Sequence, residues 1–120
     1  MALIYVFVGG GLGSLVRYIL TVGTRQLWHS DFPLGTIISN LLACLILGVL
    51  VYQVELKHQG PLWLNQMLLI GFCGGFSTFS TFGYETVDLL ERGLFGYAIA
   101  NVLISVIAGI GLIYMIRFFK

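Results

Sequence analysis

Between Gly60 and Tyr84 the chain carries no charged residue, yet the second half of that stretch reads Gly71-Phe72-Cys73-Gly74-Gly75-Phe76-Ser77-Thr78-Phe79-Ser80-Thr81-Phe82-Gly83. An uncharged hydrophobic segment of this length belongs at bilayer depth. Its glycines loosen a helix and its hydroxyls offer the backbone other hydrogen-bond partners, so a break or non-helical turn is expected inside it. Hydrocarbon does not tolerate unpaired backbone amides and carbonyls. They persist at that depth only when buried in protein or facing a water-lined cavity, where they can coordinate ions. The stretch therefore predicts an ion-handling membrane protein whose third helix is interrupted near the midplane.

Composition places the whole chain in the same class. Of 120 residues, 58% are hydrophobic and 9% charged, and the mean hydropathy is +0.99. Such a chain lacks the polar surface to cover a soluble domain and reads as an all-α integral membrane protein. A formal charge of +1 with no basic run argues against a nucleic-acid partner. Cys44 and Cys73 fall inside apolar spans without CxxC spacing, so they read as small buried hydrophobes and not as a disulfide or metal site. No basic region followed by a small-residue cleavage site opens the sequence, so the first apolar segment is expected to be retained as a span.

Four spans fit the pattern, at about residues 2–22, 34–54, 62–90 and 94–116 of a single transmembrane domain over 1–120. In the first, Gly9 with Gly13 and Gly10 with Ser14 have the spacing that lets helix backbones approach closely in lipid. Nothing predicts the strand that a phosphate-cradling glycine run would need. Arg17, near the end of this span, has two readings: it snorkels to the headgroups, or it stands in a water-filled vestibule and raises the local anion concentration.

The first loop, Gly23 to Pro33, carries Arg25, Trp28, His29 and Asp31 as interfacial anchors. His29 has no second ligand at metal-binding spacing and is expected to be solvated. In the second span Thr36, Asn40, Cys44 and Gly48 recur at every fourth position and share a face. A membrane asparagine needs partners for its amide. Asn40 either holds helices together, a bond worth about 0.6 kcal/mol in such settings, or aims a donor into an ion path. The second loop holds Lys57 and His58, and Pro61 suits the opening of the third helix.

Phe72, Phe76, Phe79 and Phe82 form an aromatic stripe along the third span. For Phe72 and Phe76 the expected role is packing against a neighbouring helix. Phe79 and Phe82 alternate with hydroxyls, which does not suit a greasy seam. Their electron-poor ring edges, turned into a narrow pore, can hold an anion without a full positive charge and so without trapping it. Beyond Glu91-Arg92-Gly93 the last span places Asn101, Ser105 and Gly109 on one face and ends at Arg117 and Lys120.

Lys57, Arg117 and Lys120 fall on the side of both termini and Arg25 and Arg92 on the other, with Arg17 leaning toward the latter. With so little bias either orientation should insert. Four helices leave little room for a pore through their own middle, so an oligomer is expected, and an antiparallel homodimer meets both points.

These residues carry a resemblance. Gly10 to Tyr18 with Arg17-Tyr18, Gly35-Thr36 with Asn40 and Gly48, and above all the run from Gly71 to Phe82 with Glu85 resemble the CrcB/Fluc family of fluoride channels, across all four spans. The resemblance implies a dual-topology antiparallel homodimer, multi-pass in the bacterial plasma (inner) membrane, that passively exports fluoride through two pores. It implies a structural sodium ion (Na+) at the dimer interface, held by the backbone carbonyls of Gly74 and Ser77; the family usually has Thr in place of Ser77. It places the pore asparagine at Asn40, the pore phenylalanines at Phe79 and Phe82 with Ser80 and Thr81 as polar neighbours, the vestibule arginine at Arg17, the acidic residue after the break at Glu85, and a fourth-helix polar track at Asn101 and Ser105.

Fluoride binds its water tightly, so a narrow path with strong donors replaces hydration for it better than for chloride. A small proton-coupled multidrug exporter of dual topology is the alternative, but it relies on a carboxylate in its first span, where this chain has Arg17 and no acid. A purely structural assembly protein explains the small residues and leaves the alternation of Phe and hydroxyl unexplained. No cluster of His, Cys or paired acids within a span suggests an enzyme.

Overall fold

The computed structural model describes residues 1–57 and 60–119, and the side chains of all of these except 55–57. His58, the Lys57 side chain and Lys120 lie outside the described residues. Among the described residues all regular structure is helical, and four helical spans are long and apolar enough to cross a membrane: Ala2–Leu27, Leu34–Val54, Leu62–Glu91 and Phe95–Phe118. The protein is an integral membrane protein.

Helix α1 is Ala2–Leu27 and α2 is Leu34–Lys57. The third span comprises α3, residues 62–76, in which a π-helical stretch Gln66–Phe72 sits between two α-helical turns, and α4, Phe79–Glu91. The last, α5, is Phe95–Phe118, with a second π-helical stretch at Ile104–Ala108. Helix α1 continues through Gly23–Leu27, which the sequence reading gave to the first loop. The hydroxyls of Thr21 and Thr24 bond back to the carbonyls of Arg17 and Leu20, at 2.9 and 2.8 Å, so these polar residues are satisfied inside the helix. Helix α2 likewise runs past Val54, and α5 past Ile116.

Glycine decides how the spans pack. A Cβ on Gly9 would strike the Met67 carbonyl, one on Gly13 the Phe72 carbonyl, and one on Gly75 the Gly10 carbonyl; one on Gly71 would lie 2.7 Å from the Val6 carbonyl oxygen. Helices α1 and α3 therefore meet backbone to backbone along a seam with no room for a methyl group. On the other side of the bundle α2 meets α5, where a Cβ on Gly48 would come within 2.9 Å of Ile116 Cδ1 and one on Gly109 within 3.3 Å of Cys44 Sγ. The buried apolar set is small: Ile37, Ala43, Cys73, Phe76, Leu89 and Ala98. Larger side chains such as Leu3, Phe7 and Ile107 face outward, as a surface that meets lipid or another copy requires.

A Schellman turn closes α4. Gly93, at φ 75°, donates to the Leu90 carbonyl at 3.1 Å and Leu94 to the Leu89 carbonyl at 2.8 Å. There Arg92 bonds Asp31 at 2.5 Å and Asp88 at 3.3 Å, which pins the first loop to the end of α4. These hydrogen bonds, first that to Asp31, push the guanidinium above its already high range, so Arg92 stays charged throughout the physiological range.

Candidate functional site

Ser77 and Thr78 separate α3 from α4, and both are extended, at φ −81°, ψ 153° and φ −149°, ψ 119°. Extended backbone at membrane depth must find partners outside the helical ladder. Cys73 supplies one: its carbonyl accepts from Ser77 N at 3.0 Å and Ser77 Oγ at 2.9 Å. Asn40, on α2, supplies two more. Its Oδ1 accepts from Thr78 N at 2.7 Å and its Nδ2 donates to the Thr78 carbonyl at 3.3 Å, so one side chain satisfies both backbone groups of Thr78. Thr78 in turn caps α4, its Oγ1 accepting from Thr81 N at 3.3 Å and lying 3.2 Å from Thr81 Oγ1 and 3.4 Å from Ser80 Oγ.

Arg17 belongs to the same region. Its Nε donates to the Gly75 carbonyl at 3.3 Å, and Ser14 Oγ donates to the same oxygen at 3.5 Å. A half-buried cation thus stands at the C-terminal end of α3, where the helix dipole favours it. The Arg17 Nε thus turns across the bundle to a backbone oxygen of the third span.

Phe79 and Phe82 stand on the first turn of α4 with ring centroids 5.8 Å apart and planes tilted by 44°. Phe79 is 84% exposed in the single chain and Phe82 half-buried; Ser80 is exposed and Thr81 half-buried. Phe72 and Phe76 differ, as expected of packing residues: Phe76 is buried, and the two rings lie 5.5 Å apart. Gly74 is exposed, and a Cβ there would meet nothing within 4 Å.

Farther along α4, Glu85 Oε1 accepts from Thr36 Oγ1 at 2.8 Å. Glu85 Oε2 and the fully buried Ser39 Oγ have no hydrogen-bond partner among the described residues. A cavity of about 290 Å³ opens beside this carboxylate, its wall including Thr21, Arg25, Asp31, Thr36, Glu85 and Arg92. Arg92 is held by two acids there, and Arg25 lines the same cavity. Arg17 is not on that wall.

Asn101 is fully buried. Its Nδ2 donates to Thr86 Oγ1 at 2.9 Å, its Oδ1 accepts from Ser105 Oγ at 3.4 Å, and Thr86 Oγ1 donates to the Phe82 carbonyl at 2.8 Å. The structure thus joins Asn101 and Ser105 to the Phe82 turn, while Asn40, Thr78, Ser80 and Thr81 form a separate group. Sequence reasoning missed Thr86, although its position one turn after Phe82 marked it as a residue of that face. It also missed Ser14, whose small size had suggested packing alone.

The family sequence model described as "CrcB-like protein, Camphor Resistance (CrcB)" matches residues 4–116. Proteins named "Fluoride-specific ion channel FluC" from Salmonella arizonae, Salmonella newport and Salmonella dublin are each 42% identical to this chain over 106 residues, which is 88% of this chain and 82% of theirs. With the match running through all four spans and the residues just described, the chain belongs to the CrcB family.

Proposed function

We propose that this protein is a fluoride channel that exports fluoride passively, down its electrochemical gradient, across the bacterial inner membrane. The observation that carries the reading is the likeness, over 88% of the chain, to proteins named fluoride-specific ion channels. The conducting unit is an antiparallel homodimer, whose two copies insert in opposite orientations and enclose the pores between them. The outward-facing Phe79 and the thin core of a single chain support this, since both leave apolar surface for a partner.

Fluoride sheds water against fixed donors. Asn40 commits one amide proton to the Thr78 carbonyl and keeps the other available, and the hydroxyls of Ser80 and Thr81 stand one turn away. The edges of Phe79 and Phe82 then offer a weak positive field that does not trap the ion. Arg17, tied to α3, contributes a fixed positive charge near the approach. No bond is made or broken.

The third span is interrupted near the midplane at Ser77 and Thr78, and the backbone carbonyls of Gly74 and Ser77 are the oxygens that would hold a structural sodium ion between copies. Backbone carbonyl oxygens suit a hard cation, and Gly74 is exposed in the single chain. When bound, sodium would tie the two copies through their carbonyls.

Purified protein in liposomes should release fluoride and retain chloride. Replacing Phe79 or Phe82 by Ile should lower fluoride release at least tenfold, the cost of about one weak electrostatic contact per ion. Undiminished release from both variants would remove the aromatic role, and no release from the unaltered protein would remove the function.

A further inference from the structure

The buried Asn101 sits in a hydrogen-bonded series whose direction is set at each link. Thr86 has a single hydroxyl proton and gives it to the Phe82 carbonyl, so toward Asn101 it can only accept. Asn101 must therefore turn its Nδ2 to Thr86 and its Oδ1 to Ser105, and Ser105 gives its own single proton to that oxygen. Because Asn101 is 0% exposed, it does not touch an ion directly in this arrangement; it acts on its two neighbours.

We propose that Thr86 is a positioning residue for the anion path: its hydroxyl fixes the Asn101 amide, and through it holds the Ser105 proton, while anchoring the Phe82 turn to α5. The inference rests on the channel reading above, with the path running past Ser105 on the fourth-helix polar track. The bond from Ser105 to Asn101 is the longest of the three, at 3.4 Å against 2.9 and 2.8 Å, so it is the link that yields when a passing anion competes for the Ser105 proton. Ser105 is half-buried and lies in the π-helical stretch Ile104–Ala108, where the altered ladder turns side chains away from their usual bearing. Fluoride therefore meets a hydroxyl that is already partly engaged, which keeps its hold weak enough for release.

Without the Thr86 hydroxyl the buried amide has no acceptor on that side. Rotating the amide by half a turn presents Nδ2 to Ser105 Oγ, which must then accept, and its proton is freed to grip the anion. The consequence is a specific split between affinity and rate. Thr86→Val keeps the shape and removes the hydroxyl. Maximal fluoride efflux from liposomes should fall roughly tenfold, the scale of one hydrogen bond, and the half-saturating fluoride concentration should fall with it. Thr86→Ser should restore both values. In a Ser105→Ala background Thr86→Val should leave the half-saturating concentration where Ser105→Ala alone puts it.

Unchanged efflux in Thr86→Val overturns the proposal while leaving the channel function standing. So does a lower efflux with unchanged half-saturation, or a loss that Thr86→Ser does not repair, since simple disruption of packing would behave that way. Should Thr86→Val fail to assemble, Thr86→Ala set against Thr86→Ser reads the same split. Absence of fluoride efflux from the unaltered protein overturns both readings together.

Discussion

At the scale of single residues, Asn40 shows how a membrane asparagine can stand in for the helical ladder where the backbone is extended. Its carbonyl takes the Thr78 amide at 2.7 Å and its amide reaches the Thr78 carbonyl, so it replaces the ladder bonds that extended backbone forgoes. Asn40→Leu removes both partners and leaves the half-buried Thr78 N–H and carbonyl unmet, which should destabilise the protein in detergent by about 1–3 kcal/mol. Asn40→Asp keeps the acceptor for Thr78 N but loses every donor, so it should retain more stability than Asn40→Leu and still fail to conduct. Thermal unfolding and fluoride efflux measured on the same preparations check the two effects separately. If both variants lose stability and efflux in step, Asn40 has no role in transport beyond holding the backbone. The sequence made Asn40 conspicuous through its place on the stripe with Thr36, Cys44 and Gly48. It did not reveal that most of the amide is spent on Thr78, because that bond depends on where two separate spans cross.

At the scale of elements, only the α1 side of its joint with α3 is legible in the sequence. Gly9 and Gly13 had the spacing for close approach, and both are buried against α3 carbonyls. The partner glycines, Gly71 and Gly75, read in the sequence only as loosening residues, because their packing role needs the facing helix to be known. A methyl group at Gly13 or Gly75 would meet a backbone carbonyl, which cannot rotate away as a side chain can. Gly13→Ala and Gly75→Ala should each cost about 1–3 kcal/mol of stability. Gly11→Ala, on the same helix but with nothing within 4 Å of its Cβ, should be neutral or slightly stabilising, since alanine is the better helix former. Unfolding midpoints of the three variants decide the matter; equal values would mean the seam is looser than its geometry indicates. The π-helical stretches Gln66–Phe72 and Ile104–Ala108 were not legible, because local propensity does not mark where a neighbouring element shifts the hydrogen-bond ladder. The same limit explains α1, where hydroxyl back-bonding carries the helix through residues that composition alone assigned to a loop.

At the scale of the whole molecule, orientation is set by a small number of charges. Counted along four spans of the sequence, Lys57, Arg117 and Lys120 are expected on the side of both termini and Arg25 and Arg92 on the other. Arg17 bonds the Gly75 carbonyl within the bundle through its Nε. A chain so nearly neutral in its bias should insert both ways, and the proposed antiparallel pair requires that it does. Appending extra arginines beyond Lys120 should therefore drive every copy into the orientation that keeps both termini in the cytoplasm. Such a variant, expressed alone, should insert and yet conduct no fluoride. A second variant, with Arg117 made neutral and extra arginines beside Arg25, should settle the opposite way and be equally silent. Expressed together, the two should regain efflux, because each then supplies the orientation the other lacks. Full efflux from either variant alone would mean that parallel copies or a single chain suffice, and the exposed face around Phe79 would then need another explanation. Efflux that returns only on co-expression would tie function to opposed insertion, for reasons that trace back to where a handful of cations fall along the sequence.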